Sequence, residues 1–200
     1  MASLTVKGCK HNCTICGGSA FAARHLSHRT QPAFRSPKLL ARDVRRLGEM
    51  SRGPVFLLGD LRQAGMSYAH RFFQAVQGYE GPVIVELFEP VDPSYMEAFA
   101  AALPNFYVEF SPESHDPAIR RASGKRYTNE EIEASISAAL AVGARRFDLF
   151  FMIGLPRQTA ESALGTVDYA RQLLHRFDDG RLIPFTSPLA PFLDPGSLAY

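Results

Sequence analysis

The chain has 200 residues, 46% of them hydrophobic and 21% charged, with a formal net charge of +2. That balance fits one globular domain with ample core material, and the small charge argues against a nucleic-acid partner. No apolar run approaches the roughly 18 residues of a membrane span, and the N-terminus lacks a signal-peptide core, so no membrane partner and a cytoplasmic location are expected.

Taken in chain order, apolar runs alternate with amphipathic segments. Strands are expected at Leu4–Lys7, Val55–Gly59, Val83–Phe88, Phe106–Phe110, Phe147–Ile153 and Leu182–Thr186. Several are continuously hydrophobic, as parallel strands buried on both faces would be. The helices between them have readable starts. Ser36-Pro37 and Asp92-Pro93 each pair a cap residue with a first-turn proline. Thr128-x-x-Glu131 is a capping box, followed by Ile132, Ile136 and Leu140 and closed near Gly143. Thr159 opens a last helix carrying Leu164, Val167, Leu173 and Leu174. This β-then-α rhythm, with right-handed crossovers, describes either an open sheet or a curved partial barrel. In both, ligands gather at the carboxyl ends of the strands. The unusual residues fall there: Gly59-Asp60-Leu61-Arg62, Glu86 to Pro90, Ser111 to His115, Gly154 to Thr159, and Ser187-Pro188-Leu189-Ala190-Pro191.

All three cysteines follow the first strand, as Cys9, Cys13 and Cys16 in a C-x3-C-x2-C loop. Three thiolates this close suit a [4Fe–4S] cluster with one iron left without a protein ligand. They are a poor disulfide framework. The competing reading is structural zinc on Cys13, Cys16, His25 and His28, with His11 as a further candidate. Its eight-residue gap and two-residue histidine spacing depart from zinc-finger norms, and it leaves Cys9 unused. The basic segment Arg24-His25-Leu26-Ser27-His28-Arg29, with Arg35 beyond, reads as a solvated loop or as a lid at the site. Glu86 and Glu89 are candidates for substrate binding, Asp148 for a buried structural acid, and His115 and Asp116 for turn residues. Tyr127 and Tyr169 read as packing residues.

With these segments in view, the chain resembles the radical S-adenosylmethionine (radical SAM) superfamily. Beyond the cysteine loop, the resemblance rests on Val108 to Ser114, Ile119-Arg120, Gly124-Lys125, Tyr127 to Glu131, and Phe151 to Thr159. It is nearest to the B12-binding-domain branch. The resemblance implies an α/β partial (β/α)6 TIM-like barrel of parallel strands, with residues 1–200 forming one core domain truncated at one or both ends. It implies that Cys9, Cys13 and Cys16 hold a [4Fe–4S] cluster whose open iron binds S-adenosylmethionine (SAM). Reductive cleavage of SAM would start radical chemistry on a small-molecule substrate. An electron donor such as flavodoxin or ferredoxin would supply the electron. Ile15, Gly59, Asp60, Glu113, Ser114, Ile153 and Gly154 would contact SAM, with Asp60 accepting from its amino group. Ile15 replaces the usual aromatic residue, Leu58-Gly59-Asp60 the usual Gly-Gly-Glu, and Arg157-Gln158 the usual Gly-Glu. Cobalamin-assisted methyl transfer is implied only through a missing N-terminal domain, since the chain contains no Asp-x-His-x-x-Gly motif.

Overall fold

The computed structural model describes residues 1–189 and 193–200, so Ala190 and Pro191 lie outside the described residues. Its frame is a six-stranded parallel sheet in the order β1-β4-β5-β6-β7-β8. These strands are β1 (Ala2–Leu4), β4 (Val55–Leu58), β5 (Val83–Leu87), β6 (Phe106–Glu113), β7 (Phe147–Ile153) and β8 (Leu182–Pro188). The sheet does not close, which makes it the open, partial barrel expected from the resemblance. Among the described residues, no helix is long and apolar enough to cross a membrane.

The first strand departs from expectation. Ala2–Leu4 pairs with β4, while β2 (Val6–Lys7) turns away to pair antiparallel with β3 (Ala33–Phe34). The break falls at Thr5, whose hydroxyl donates to the Leu58 and Gly59 carbonyls at 2.9 and 3.0 Å. The Thr5 N–H also donates to the Leu58 carbonyl and its own carbonyl accepts from the Arg35 N–H, so this residue is bonded to both sheets.

Helices α2 (Pro37–Met50), α3 (Met66–Val76), α4 (Pro93–Ala102), α6 (Asn129–Ala141) and α7 (Ala160–Arg176) cover the outer face, while α1 (Ala20–Ser27) and α5 (Pro117–Ala122) lie beside the cysteine loop. Ser36 caps α2, and the Thr128–Glu131 capping box is formed reciprocally at α6. Asp92 precedes α4 without a side-chain cap bond. The basic segment expected as a loop is helical through Ser27 and ends at His28 in a left-handed cap. Its arginine, histidines and leucine still face solvent.

Expectation and structure also differ along the strands. Burial on both faces holds for the start of β7, where Phe147, Asp148 and Leu149 are all buried, whereas β5 alternates buried and half-buried residues, as does most of β6. The outer row packs under the helices, where Phe72, Phe99, Phe106 and Phe110 are wholly buried and Phe99 meets Phe106 edge-on at 5.2 Å. Each such side chain contributes about 1.5–3 kcal/mol of hydrophobic stabilisation. The inner row faces the open barrel and holds a register of acids, Glu86 opposite Glu109 opposite Asp148. Directly opposed like charges repel. Burial, reinforced by the neighbouring carboxylates, pushes Glu86 and Glu109 up from the usual carboxylate range. Asp148 is buried and held by Arg146 at 2.8 Å, consistent with a structural acid.

Candidate functional site

The cysteine loop is pinned from several sides. Gly8 (φ +88°) turns the chain out of β2. The Lys10 N–H donates to Gln63 Oε1 at 2.8 Å, and Asn12 Oδ1 accepts from the Phe21 N–H at 2.9 Å. The Thr14 N–H reaches the Ser123 carbonyl, and the Ala20 N–H the His11 carbonyl. From the other end of the chain, Asp194 Oδ2 accepts from the Gly17 N–H at 2.8 Å, and Ala199 N–H bonds the Thr14 carbonyl. Gly124 (φ +92°) lies so close beneath the loop that a Cβ there would sit 3.0 Å from the Asn12 carbonyl oxygen. Only glycine satisfies both the backbone angle and that approach.

All three cysteines are free thiols and line one cavity of about 550 Å³. Cys9 Sγ accepts from the His11 N–H at 3.4 Å, and Cys16 Sγ from the Gly18 N–H at 3.3 Å. Burial raises all three thiols, Cys13 to about 11 despite the nearby Lys125 ammonium. Thiols in this state release protons when a metal centre binds. Three soft donors on a rigid loop, two already met by N–H groups, fit an iron–sulfur cluster.

The zinc alternative finds no support. His25 packs against Phe21 with tilted rings 4.2 Å apart on the exposed face of α1, His28 is the exposed helix cap, and neither lines the cavity. Among the described residues, no three His, Cys, Asp or Glu side chains form a group able to hold a single metal ion. Zinc ligands all lie about 2.0–2.3 Å from one ion and must crowd together, whereas cluster ligands attach to separate irons.

Of the expected SAM contacts, Ile15 and Glu113 line the cysteine cavity. Ile15 packs in a small apolar cluster with Ile119, Leu155 and Leu189. Glu113 sits at a register shift in the β6–β7 pairing with φ +71°, in the left-handed region, and pairs with Lys125 at 2.8 Å. Burial alone would lower the Lys125 ammonium, yet Glu113 holds it above its ordinary value.

The other expected contacts sit elsewhere. Asp60 is buried off the cavity, its carboxylate taken by Arg62 and by the Phe88 N–H at 3.0 Å. Ser114 is wholly buried, its Oγ accepting from the Asp116 N–H. Ile153 is half exposed outside the cavity, and Gly154 (φ +94°) donates its N–H to Gln158 Oε1 at 2.7 Å. Gly59 (φ +101°) lies behind the wall, where a Cβ would come within 2.7 Å of Thr5 and Val6. Its N–H donates to Glu86 Oε2 at 2.8 Å.

Glu86 does line the cavity, as do Glu89, Phe88, Met152 and Lys125. Lys125 was visible only as part of the Gly124-Lys125 match, with no role attached. What exposes its role is the ion pair, which joins residues 12 positions apart. His115 and Asp116 are turn and cap residues: Asp116 caps α5, and His115 Nδ1 lies 2.9 Å from Thr166 Oγ1. Tyr127 packs on Phe110 at 5.4 Å, and Tyr169 reaches Glu133.

Comparison with known proteins bears on the fold. The chain is similar in fold to TsrM from Kitasatospora setae, a radical S-adenosylmethionine methyltransferase described with cobalamin and a [4Fe-4S] cluster bound. The TM-score is 0.72 at 15% identity, covering 94% of this chain and 34% of that one. Coproporphyrinogen III oxidase (HemN) from Escherichia coli, described as a radical SAM enzyme, gives 0.64 at 14%, covering 98% and 45%. OxsB, a cobalamin-dependent S-adenosylmethionine radical enzyme with aqua-cobalamin bound, gives 0.63 at 13%, covering 96% and 28%. The chain thus spans less than half the length of each. No curated protein matches it in sequence. Residues 3–170 match the model of the Radical SAM superfamily, and the chain belongs to that family.

Proposed function

We propose that this domain holds a [4Fe–4S] cluster on Cys9, Cys13 and Cys16 and cleaves SAM in the adjoining cavity to start radical chemistry. The observation that carries this is three free thiols on one pinned loop, all facing the same cavity. When bound, the cluster supplies one electron to the SAM sulfonium, opening attack on a C–H bond of the substrate. The His11 and Gly18 N–H groups stabilise thiolate charge at Cys9 and Cys16. Lys125, flanked by Glu86 and Glu113, offers charges complementary to the zwitterionic methionine group of SAM. Glu86 takes the acceptor role that the sequence pattern had assigned to Asp60. Ile15, Leu189 and Met152 supply an apolar wall that excludes water.

Cobalamin-assisted methyl transfer is the second reading. It is favoured by the fold likeness to TsrM and OxsB, both described with cobalamin bound. The corrin would be held by protein outside these residues. The substrate is expected to be a small molecule, and the electron to come from a flavodoxin or ferredoxin.

Anaerobic reconstitution with iron and sulfide tests the proposal. The expected result is a cluster absorbance in the visible region, and 5′-deoxyadenosine on reduction in the presence of SAM. Cys9→Ala abolishes both. Stoichiometric zinc binding without cluster formation, or zinc binding that survives Cys9→Ala, would overturn it.

A further inference from the structure

Two of the three thiols receive a hydrogen bond from the loop itself, and the third does not. Cys9 Sγ accepts from the His11 N–H and Cys16 Sγ from the Gly18 N–H, each donor two residues further along. Cys13 has no such donor among the described residues, and burial raises it to about 11. The segment able to supply one runs alongside. The Ser123 carbonyl accepts from the Thr14 N–H, and a Cβ on Gly124 would sit 3.2 Å from Cys13 Cα. Three residues beyond Gly124 stands Tyr127, which lines the same cavity as the cysteines.

Tyr127 is a tightly held ring with an idle hydroxyl. The ring lies 5.4 Å from Phe110, and the Arg120 guanidinium stands over it at 5.3 Å. Arg120 Nε also donates to the Tyr127 carbonyl at 2.9 Å, which fixes its backbone. The residue is 8% exposed, and its hydroxyl is shut off from water with no partner among the described residues. A buried, unsatisfied hydroxyl costs about 1–3 kcal/mol, and phenylalanine would pack the same ring without that cost. Burial raises the phenol pKa, with Lys125 opposing and the Glu113 and Cys13 charges adding, so the group remains an O–H donor. Glu113 Oε2 is likewise unpaired, but it does not meet this hydroxyl, and Glu113 Oε1 is drawn to Lys125.

We propose that the Tyr127 O–H donates a hydrogen bond to cluster sulfur at the Cys13 corner, thiolate or adjoining sulfide, and so raises the potential at which the cluster is reduced. The inference rests on the function proposed above, since it needs a cluster on these cysteines. Its basis is a matched pair of deficits on one cavity wall: a donor without an acceptor and a sulfur without a donor. A cluster gains negative charge when it takes up an electron, so a donor to its sulfur favours the reduced form. With Tyr127 included, each cysteine corner has one hydrogen-bond donor, two from the loop backbone and one from a side chain.

The test compares the anaerobically reconstituted full chain, without SAM, as wild type and as Tyr127→Phe. Tyr169→Phe is the control, because its hydroxyl bonds Glu133 and the residue does not line the cavity. The cluster is titrated with dithionite and followed by the electron paramagnetic resonance of its reduced form. Tyr127→Phe should be harder to reduce by about tenfold in the one-electron equilibrium, a midpoint about 59 mV more negative, and Tyr169→Phe unchanged. Electron–nuclear double resonance in ordinary and deuterated buffer should show one exchangeable proton coupling that Tyr127→Phe lacks. Iron content should stay at the wild-type level, and the urea midpoint before reconstitution should be equal or higher, since only an unsatisfied hydroxyl is removed. An unchanged potential, or a shifted one with no exchangeable coupling lost, overturns the inference while the proposed function stands. So does a loss of iron or of urea stability in Tyr127→Phe, which would make the residue a packing element alone. If wild-type protein assembles no cluster, the proposed function fails and this inference falls with it.

Discussion

The Lys125 ammonium lies 2.8 Å from Glu113 Oε1 at the wall of the cysteine cavity, and both side chains are largely withdrawn from water. A buried ion pair of this kind adds little net stability, but breaking it leaves an uncompensated charge costing about 3–5 kcal/mol. Lys125→Met is therefore expected to destabilise the chain by roughly 3 kcal/mol in urea denaturation. Adding Glu113→Gln should recover much of that loss while SAM affinity stays impaired. If the single variant is as stable as wild type, the pair is not the electrostatic anchor described here.

Two acids near the second strand should separate cleanly. Asp60 serves structure, accepting from Arg62 and from the Phe88 N–H. Asp60→Ala removes the counter-charge of the largely buried Arg62, leaving it the Glu89 and Pro90 carbonyls, and should cost about 3 kcal/mol. Glu86 faces the cavity, and burial holds its pKa up. Glu86→Gln should leave stability unchanged or slightly higher, yet weaken SAM binding by about tenfold through loss of one charged acceptor. Equilibrium dialysis with SAM, beside urea titrations of both variants, decides which acid has which role.

Gly124 supports the cysteine loop from below. Gly124→Ala combines a left-handed backbone angle, costing about 1–3 kcal/mol, with a Cβ 3.2 Å from Cys13 Cα. The expected outcome is a less stable protein that also takes up less iron per chain. Gly143 has the same backbone sign but nothing within 4 Å, so Gly143→Ala should show the stability loss alone. Equal iron content in the two variants would count against the contact.

His115 gives the fold a pH dependence of known sign. Burial lowers its pKa below the ordinary 6.5, with Asp116 opposing, so the folded state prefers the neutral ring. Its contribution is present above pH 6.5, is lost as pH falls from there toward the folded value, and levels off below it. His115→Gln should flatten that part of the stability–pH curve, measured by urea midpoints between about pH 7.5 and 5. A wild-type curve with no decline over this range would contradict the assignment.

The cap residues show why so much of the fold was legible. Thr128 and Glu131 lie three positions apart and bond each other's backbone, so their pairing is written locally. The Ser36-Pro37 start of α2 and the apolar β7 run are local in the same sense. Helix α1 was missed because its apolar side, Phe21, Ala22 and Leu26, is short and interrupted by Arg24 and His25. The inner faces of the strands were misread for a different reason. A run such as Val83–Leu87 reads as buried on both sides, but its alternate residues are only half-buried, because whether the barrel closes over the inner side is a long-range fact.

The cysteine spacing by itself kept the three thiols on one short loop after the first strand, and their convergence on one cavity depends on how that loop is pinned. The strand–helix alternation likewise determined a parallel α/β architecture. Tertiary structure alone decided which carboxylates reach the cavity. Asp60 and Glu86 both sit near strand ends, and the position of Arg62 engages the first while the second, bonded by the Gly59 N–H, lines the cavity with the thiols. It also decided that Lys125 and Glu113 meet, and that Asp194 returns from the far end of the chain to hold Gly17. Hydrogen bonds and ion pairs act over about 3–4 Å, and which groups come that close is settled only when the whole chain has packed.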